Sequence, residues 1–122
     1  MKTRHVLLIT QDKELSGIVK ISALTLTKLN AQVTIDEASE YDAAVERSKP
    51  VLIDLIIIDG DIATIDPVRL IDEIRNNTGS DNKKIILLYS TPLNREEIFK
   101  AGCDSIMSKN EFKRAVNNIL TM

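Results

Sequence analysis

The chain has 122 residues, 43% of them hydrophobic and 28% charged, with a formal net charge of −2 and a single cysteine. That is the size of one domain able to bury a core, and its mildly acidic balance excludes broad attraction to nucleic acid or to an anionic membrane. A lone Cys103 excludes an intrachain disulfide, and no apolar run nears the roughly 20 residues of a membrane span. Met1-Lys2-Thr3-Arg4-His5 leads into too few apolar residues for a secretory signal, so the expected location is the cytoplasm.

Val6-Leu7-Leu8-Ile9-Thr10 is apolar and bounded by polar residues, which predicts a first strand. Asp12 offers a capping carboxylate. Leu15, Ile18, Val19, Ala23, Leu26 and Leu29 then recur at helical spacing, predicting an amphipathic helix over 14–29 that stops at Asn30. Val33-Thr34-Ile35 predicts a short second strand. A second helix is expected over 37–47, with Ala43, Ala44 and Val45, and Pro50 ends it.

Asp54-Leu55-Ile56-Ile57-Ile58-Asp59-Gly60-Asp61 is the most informative stretch. Its apolar, β-branched body predicts a strand buried on both faces, as in the middle of a parallel sheet. It ends in two carboxylates. Sites in open α/β sheets form beyond the carboxyl ends of such strands, so Asp59 and Asp61 are expected at a solvated rim where both stay ionised.

Asp66-Pro67 starts a third helix, with an acceptor at the cap, proline at the first helical position and a Val68, Ile71, Ile74 stripe. Asn76 to Asn82 is a polar turn, and Lys83-Lys84, before the next strand, reads as a solvated edge. Ile85 to Tyr89 predicts a fourth buried strand. Ser90 to Asn94 is a loop into a short helix, Arg95 to Lys100, stopped by Gly102. Ser105-Ile106-Met107 is a brief fifth strand with Lys109 at its end, and 111–120 carries Phe112, Val116 and Ile119 on one helical face. Five alternations of strand and helix predict right-handed crossovers: an α/β, doubly wound, five-stranded parallel sheet with helices on both faces, in one domain spanning 1–122.

With Ile56-Ile57-Ile58-Asp59, Asp66, and Ala101-Gly102 followed by Lys109, the whole chain resembles a receiver domain, the phosphoacceptor module of bacterial response regulators. The resemblance implies a flavodoxin-like (βα)5 fold, Asp59 as the acceptor of a phosphoryl group from a sensor histidine kinase, and Lys109 beside it. It also implies Mg2+, because a carboxylate attacks an anionic phosphoryl group only when a cation bridges them. The family supplies two further acids for that ion at the end of the first strand. Here Thr10 and Gln11 stand at those positions, with Asp12 one residue beyond. Asp12 and Asp61 are therefore the candidates to complete a metal site with Asp59. The family's switch hydroxyl falls on Tyr89 or Ser90, and Ser90 has the better reach. Asn110 replaces a usual proline, Ile106 replaces the switch aromatic, and the fourth helix is shorter. These departures describe an atypical receiver.

The resemblance thus implies a non-enzymatic signalling module controlled at Asp59, or a pseudo-receiver that binds partners independently of phosphate. Expected partners are a sensor histidine kinase or another signalling protein, with a homodimer left open. Asp59-Gly60-Asp61 also resembles the nucleophile motif of haloacid-dehalogenase-type phosphatases, which normally follows the first strand of a larger domain. A flavodoxin-like small-molecule module would need a glycine-rich phosphate loop or more aromatics than these four. His5 has no partner motif, Asp66 is a cap, and Cys103 is expected to pack in the core.

Overall fold

In the computed structural model, which describes residues 2–77 and 79–122, every apolar run becomes a strand of one parallel sheet. The strands are β1 (Lys2–Ile9), β2 (Ala31–Ala38), β3 (Leu55–Asp59), β4 (Lys84–Tyr89) and β5 (Ser105–Ser108), in the order β2-β1-β3-β4-β5. Between and after them run α1 (Lys13–Lys28), α2 (Tyr41–Ser48), α3 (Pro67–Arg75), α4 (Arg95–Ala101) and α5 (Lys109–Leu120). This is the doubly wound α/β arrangement expected from the alternation, and the flavodoxin-like one implied by the resemblance. A 3-10 turn at Ser80–Asn82 lies in the polar turn after α3, of which Thr78 falls outside the described residues, as does Met1.

Strand side chains alternate between faces, and this parity governs everything that follows. Leu7, Ile9, Ile56, Ile58, Ile85 and Leu87 face Ala44, Leu70, Ile71, Ile74 and Ile98 of α2, α3 and α4. Val6, Leu8, Leu55, Ile57, Ile86 and Leu88 face Leu15, Val19 and Leu26 of α1 and Phe112, Ile119 and Leu120 of α5. Burial of each such Leu or Ile stabilises by about 1.5–3 kcal/mol. Central strands covered on both faces are therefore apolar throughout, and all five residues of β3 are buried.

Four expectations change. Glu37 belongs to β2, not to a helix, because β2 pairs with β1 along its whole length, from Lys2↔Ala31 to Ile9↔Ala38. An edge strand tolerates polar residues on its open side, so the helical reading of 37–47 shortens to Tyr41–Ser48. The central strand begins at Leu55; Asp54 precedes it, its carboxylate accepting the His5 N–H at 3.0 Å. Leu29 is exposed, being the C-cap of α1, and Ser22 takes a buried place in that helix with its hydroxyl on Asn117. Asn30 ends the helix with a positive φ of 70°.

Lys83 is the fourth. It is buried, with its ammonium donating to the carbonyls of Ser48 at 2.6 Å and Pro50 at 2.5 Å, which closes the end of α2. Burial lowers its pKa, and the charge of Asp54 partly opposes that shift. On the same side of the sheet, Arg75 at the end of α3 donates to the carbonyls of Gly102, Ser80 and Lys83 and pairs with Asp104 at 2.8 Å. Gly102 has φ of 119°, and a Cβ there would lie 2.6 Å from the Arg75 side chain. Cys103 is buried as expected, its thiol on the Ser105 carbonyl at 3.0 Å, and burial pushes its pKa up.

Candidate functional site

The parity that puts Leu55 and Ile57 on the α1/α5 side puts Asp59 there too, at the carboxyl end of β3. In β1 the same alternation, Val6 then Leu8, delivers Thr10 to that side, while Ile9 belongs to the opposite core. Asp12 arrives as the N-cap of α1, accepting the N–H groups of Glu14 and Leu15. Lys109 is the first residue of α5, immediately after Ser108, which ends β5 and caps the helix through the Glu111 N–H. Four chain segments thus converge at one end of the sheet.

The Lys109 ammonium is the centre of the cluster. It lies 3.0 Å from Asp61 Oδ2, 3.1 Å from Asp59 Oδ1 and 3.3 Å from Asp12 Oδ2. Burial works against its charge, but hydrogen bonds to Asp61, Asp59 and Asp12 outweigh that and hold its pKa well above the usual lysine value. Asp12 has a lowered pKa, chiefly through the Leu15 N–H and against the effect of burial, with Lys109 adding to it. For Asp61, burial pushes upward and is overcome by hydrogen bonds from Ser90 and Lys109, so the net shift is down.

Asp59 is not at a solvated rim. It is 3% exposed, and both of its oxygens are engaged. Oδ2 accepts the Thr10 hydroxyl at 2.6 Å; Oδ1 accepts the Asp61 backbone N–H at 2.9 Å and meets Lys109. A buried carboxylate is retained in ionised form only with such partners. A neighbouring crevice of about 320 Å³ is lined by Thr10, Gln11, Asp12, Ser16, Ser39 and Arg47, among others, but not by Asp59.

Gly60 makes the turn possible. Its N–H donates to the Leu88 carbonyl at 2.7 Å, and a Cβ there would sit 2.7 Å from that same oxygen. The chain can therefore hug the end of β4 and return Asp61 to the cluster, where its Oδ1 accepts the Ser90 N–H at 3.2 Å. Parity also separates Tyr89 from Ser90. Tyr89 follows Ile85 and Leu87 to the α3/α4 side, where its hydroxyl accepts from Arg95 at 2.6 Å and the guanidinium lies 5.2 Å from the ring. Ser90 borders the acids. Ile106 packs against the α2/α3/α4 core, and Asp66 is the α3 N-cap, bonded to the Val68 N–H.

The structure thus brings together Asp12, Asp59, Asp61, Ser90 and Lys109 and leaves Gln11 out. The Gln11 side chain donates to the Ser39 carbonyl at 2.9 Å, away from the acids. Sequence reading took Thr10 only as a missing acid, whereas it is a direct partner of Asp59; its parity with Val6 and Leu8 was the available signal. As a Mg2+ site the donor set does not fit. Magnesium requires a near-octahedral oxygen shell at about 2.0–2.1 Å, yet one oxygen from each of the three acids faces an ammonium instead. The remaining Asp12 oxygen is taken by the α1 backbone, and the Thr10 hydroxyl is directed at Asp59. Among the described residues no group of three or more acids, histidines or cysteines is arranged to hold a metal.

No protein-family model and no curated protein matches the sequence. Solved structures do. The chain is similar to the receiver domain of a Pseudomonas aeruginosa PAO1 sensor histidine kinase, which holds magnesium in its active-site cleft, at 19% identity and TM-score 0.78 over 97% of this chain and 94% of that one. It is similar to a two-component response regulator from Clostridium difficile at 20% identity and TM-score 0.72, covering 96% and 95% of the two chains. A phosphorylated cyanobacterial phytochrome response regulator superposes at 14% identity and TM-score 0.76, covering 96% and 92%. Identities this low speak for architecture rather than chemistry, and on that ground the chain has the fold of a response-regulator receiver domain.

Proposed function

We propose that the protein is a receiver-type module of two-component signalling that works by protein contact, with Asp59 held in an internal ion pair rather than phosphorylated. The observation that carries this reading is the engagement of both Asp59 oxygens, by Thr10 on one side and by Lys109 and the Asp61 N–H on the other. In-line attack on a phosphoryl group needs a free carboxylate lone pair and a cation that bridges nucleophile and phosphate. Both are disfavoured: the carboxylate is 3% exposed, and Thr10 and Gln11 bring no charge where two acids would recruit the ion. The same burial argues against a haloacid-dehalogenase-type phosphatase, whose nucleophile must meet its substrate. Partners are then a sensor histidine kinase or another signalling protein recognising the folded surface, and a second copy of the chain is a further candidate.

A second reading, Asp59 as phosphoacceptor with Ser90 and Lys109 contacting the phosphoryl oxygens, is favoured by the 3.1 Å approach of Lys109 to Asp59 at the end of the middle strand. Incubation with acetyl phosphate and Mg2+, followed by intact-protein mass measurement, separates the two. The expected result is no phosphoryl adduct under conditions that label a conventional receiver. An adduct abolished by Asp59→Asn would replace the first reading by the second.

A further inference from the structure

We infer that a second copy of the chain is one of the protein contacts proposed above, and that it docks on the solvent side of α1 with the two helices antiparallel about a two-fold axis at Ile21. The inner side of α1 is filled by the core, with Leu15, Val19, Ser22, Ala23 and Leu26 buried. The outer side carries apolar residues as well. Ile21 and Leu24 are each 67% exposed in the middle of a regular helix, where the solvent side is ordinarily polar. With Glu14, Gly17 and Lys28 they follow a spacing of three, four, three and four residues. That spacing lines up one stripe along a helix and is the pattern of a helix–helix seam.

Gly17 is the most telling member of the stripe. Glycine inside a helix weakens it, and its usual reason for being there is close packing against a neighbour. Here its own chain supplies no such neighbour, since a Cβ on Gly17 would meet nothing within 4 Å. In the antiparallel pair the Leu24 side chain of the other copy falls beside that gap. The helix ends set the direction. Glu14 stands in the first turn, seven residues before Ile21, and Lys28 in the last, seven after it. Antiparallel helices therefore put each Glu14 against the other copy's Lys28, whereas parallel ones would put like charge on like. Glu14 meets Lys113 through one oxygen at 2.9 Å yet its side chain stays 72% exposed, and among the described residues Lys28 makes no ion pair. The helix dipole favours an acid and a base at these ends, but it gives no reason for two apolar residues and a glycine between them. A 16-residue helix is about 24 Å long, which is small for a permanent interface and fits a reversible one.

Sedimentation equilibrium of the full chain, from low micromolar to near-millimolar concentration, tests this. The weight-average mass is expected to climb from one copy towards two, with half-association on the order of 100 µM. Leu24→Glu and, separately, Gly17→Gln should each push association to at least about tenfold higher concentration. Gly17→Gln also replaces a helix-weakening residue, so its Tm at low concentration should rise by about 2 °C. Weaker pairing in that variant then cannot be laid to weaker folding. Lys28→Glu should weaken pairing about fivefold, and Glu14→Lys/Lys28→Glu should recover it. A chain monomeric throughout overturns the inference. Association that Leu24→Glu and Gly17→Gln leave unchanged also overturns it, by placing the contact on another face. So does a Glu14→Lys/Lys28→Glu variant that pairs no better than Lys28→Glu. A phosphoryl adduct at Asp59 would withdraw the preceding functional reading and leave these masses untouched.

Discussion

Thr10→Val isolates the contact on which the state of Asp59 depends most directly. Valine keeps the shape of threonine and removes one hydroxyl, which donates to the buried Asp59 Oδ2 at 2.6 Å and accepts the Asp12 N–H at 3.0 Å. A hydrogen bond to a charged group contributes about 1.5–3 kcal/mol, and the carboxylate left behind is only 3% exposed. With an unfolding entropy of about 2.1 cal/mol/K per residue, a chain of this length loses roughly 4 °C of Tm per kcal/mol. The expected fall is therefore about 6–12 °C. Urea unfolding of Thr10→Val, Asp59→Asn and the double variant completes the test. The Asp12 N–H contact is lost equally in Thr10→Val and in the double variant and so cancels in the cycle, leaving the Thr10–Asp59 coupling, expected at about 1 kcal/mol or more. A coupling of zero would refute the claim that Thr10 holds the Asp59 charge in place.

Three further outcomes are expected. Asp12 and Asp61 have lowered native pKa values, so the stability they confer is present above their ordinary value of 3.8 and is lost as pH falls through the lowered ones. Urea midpoints should therefore drop on acidification below about pH 4, and Asp12→Asn/Asp61→Asn should flatten that limb. Lys109 is shifted upward, so its contribution is complete at neutral pH and fades only in strong alkali. Gly60→Ala places a methyl 2.7 Å from the Leu88 carbonyl oxygen and should destabilise by about 1–3 kcal/mol in chemical denaturation. Lys83→Ala strands the carbonyls of Ser48 and Pro50 and should cost a similar 1–3 kcal/mol, roughly, with faster amide exchange at the end of α2.

The sheet was legible because buried parallel strands leave an unmistakable trace, such as Leu55 to Ile58 and Ile85 to Leu88, flanked by polar residues. Caps were equally clear. Asp12, Asp66-Pro67 and Gly102 act where their chemistry indicates. The errors fell where long-range pairing overrides local pattern: Glu37 is strand because β1 lies beside it, and Lys83 is buried because two carbonyls of a distant turn receive its ammonium. Nothing near Lys83 in sequence announces that pairing. At the site, Asp59 stood out as the acid that ends a buried strand, and Lys109 through the resemblance to receiver domains. The role of Thr10 depended instead on which face its side chain takes, and the parity of β1 carries that information once the strand bounds are known.

Between β5 and α5 there is no loop, since Ser108 closes the strand and caps the helix in the same step. The angular position of the amine that follows is consequently welded to the sheet's own pleat. Adding a single residue at this junction would swing the lysine by about 100° around the helix axis and take it out of reach of every acid it now serves. An added residue is better accommodated at the Val51-Leu52 tip, which is already open to water, than here. Among relatives of this chain, spacing at that one joint should drift less than the residues on either side of it.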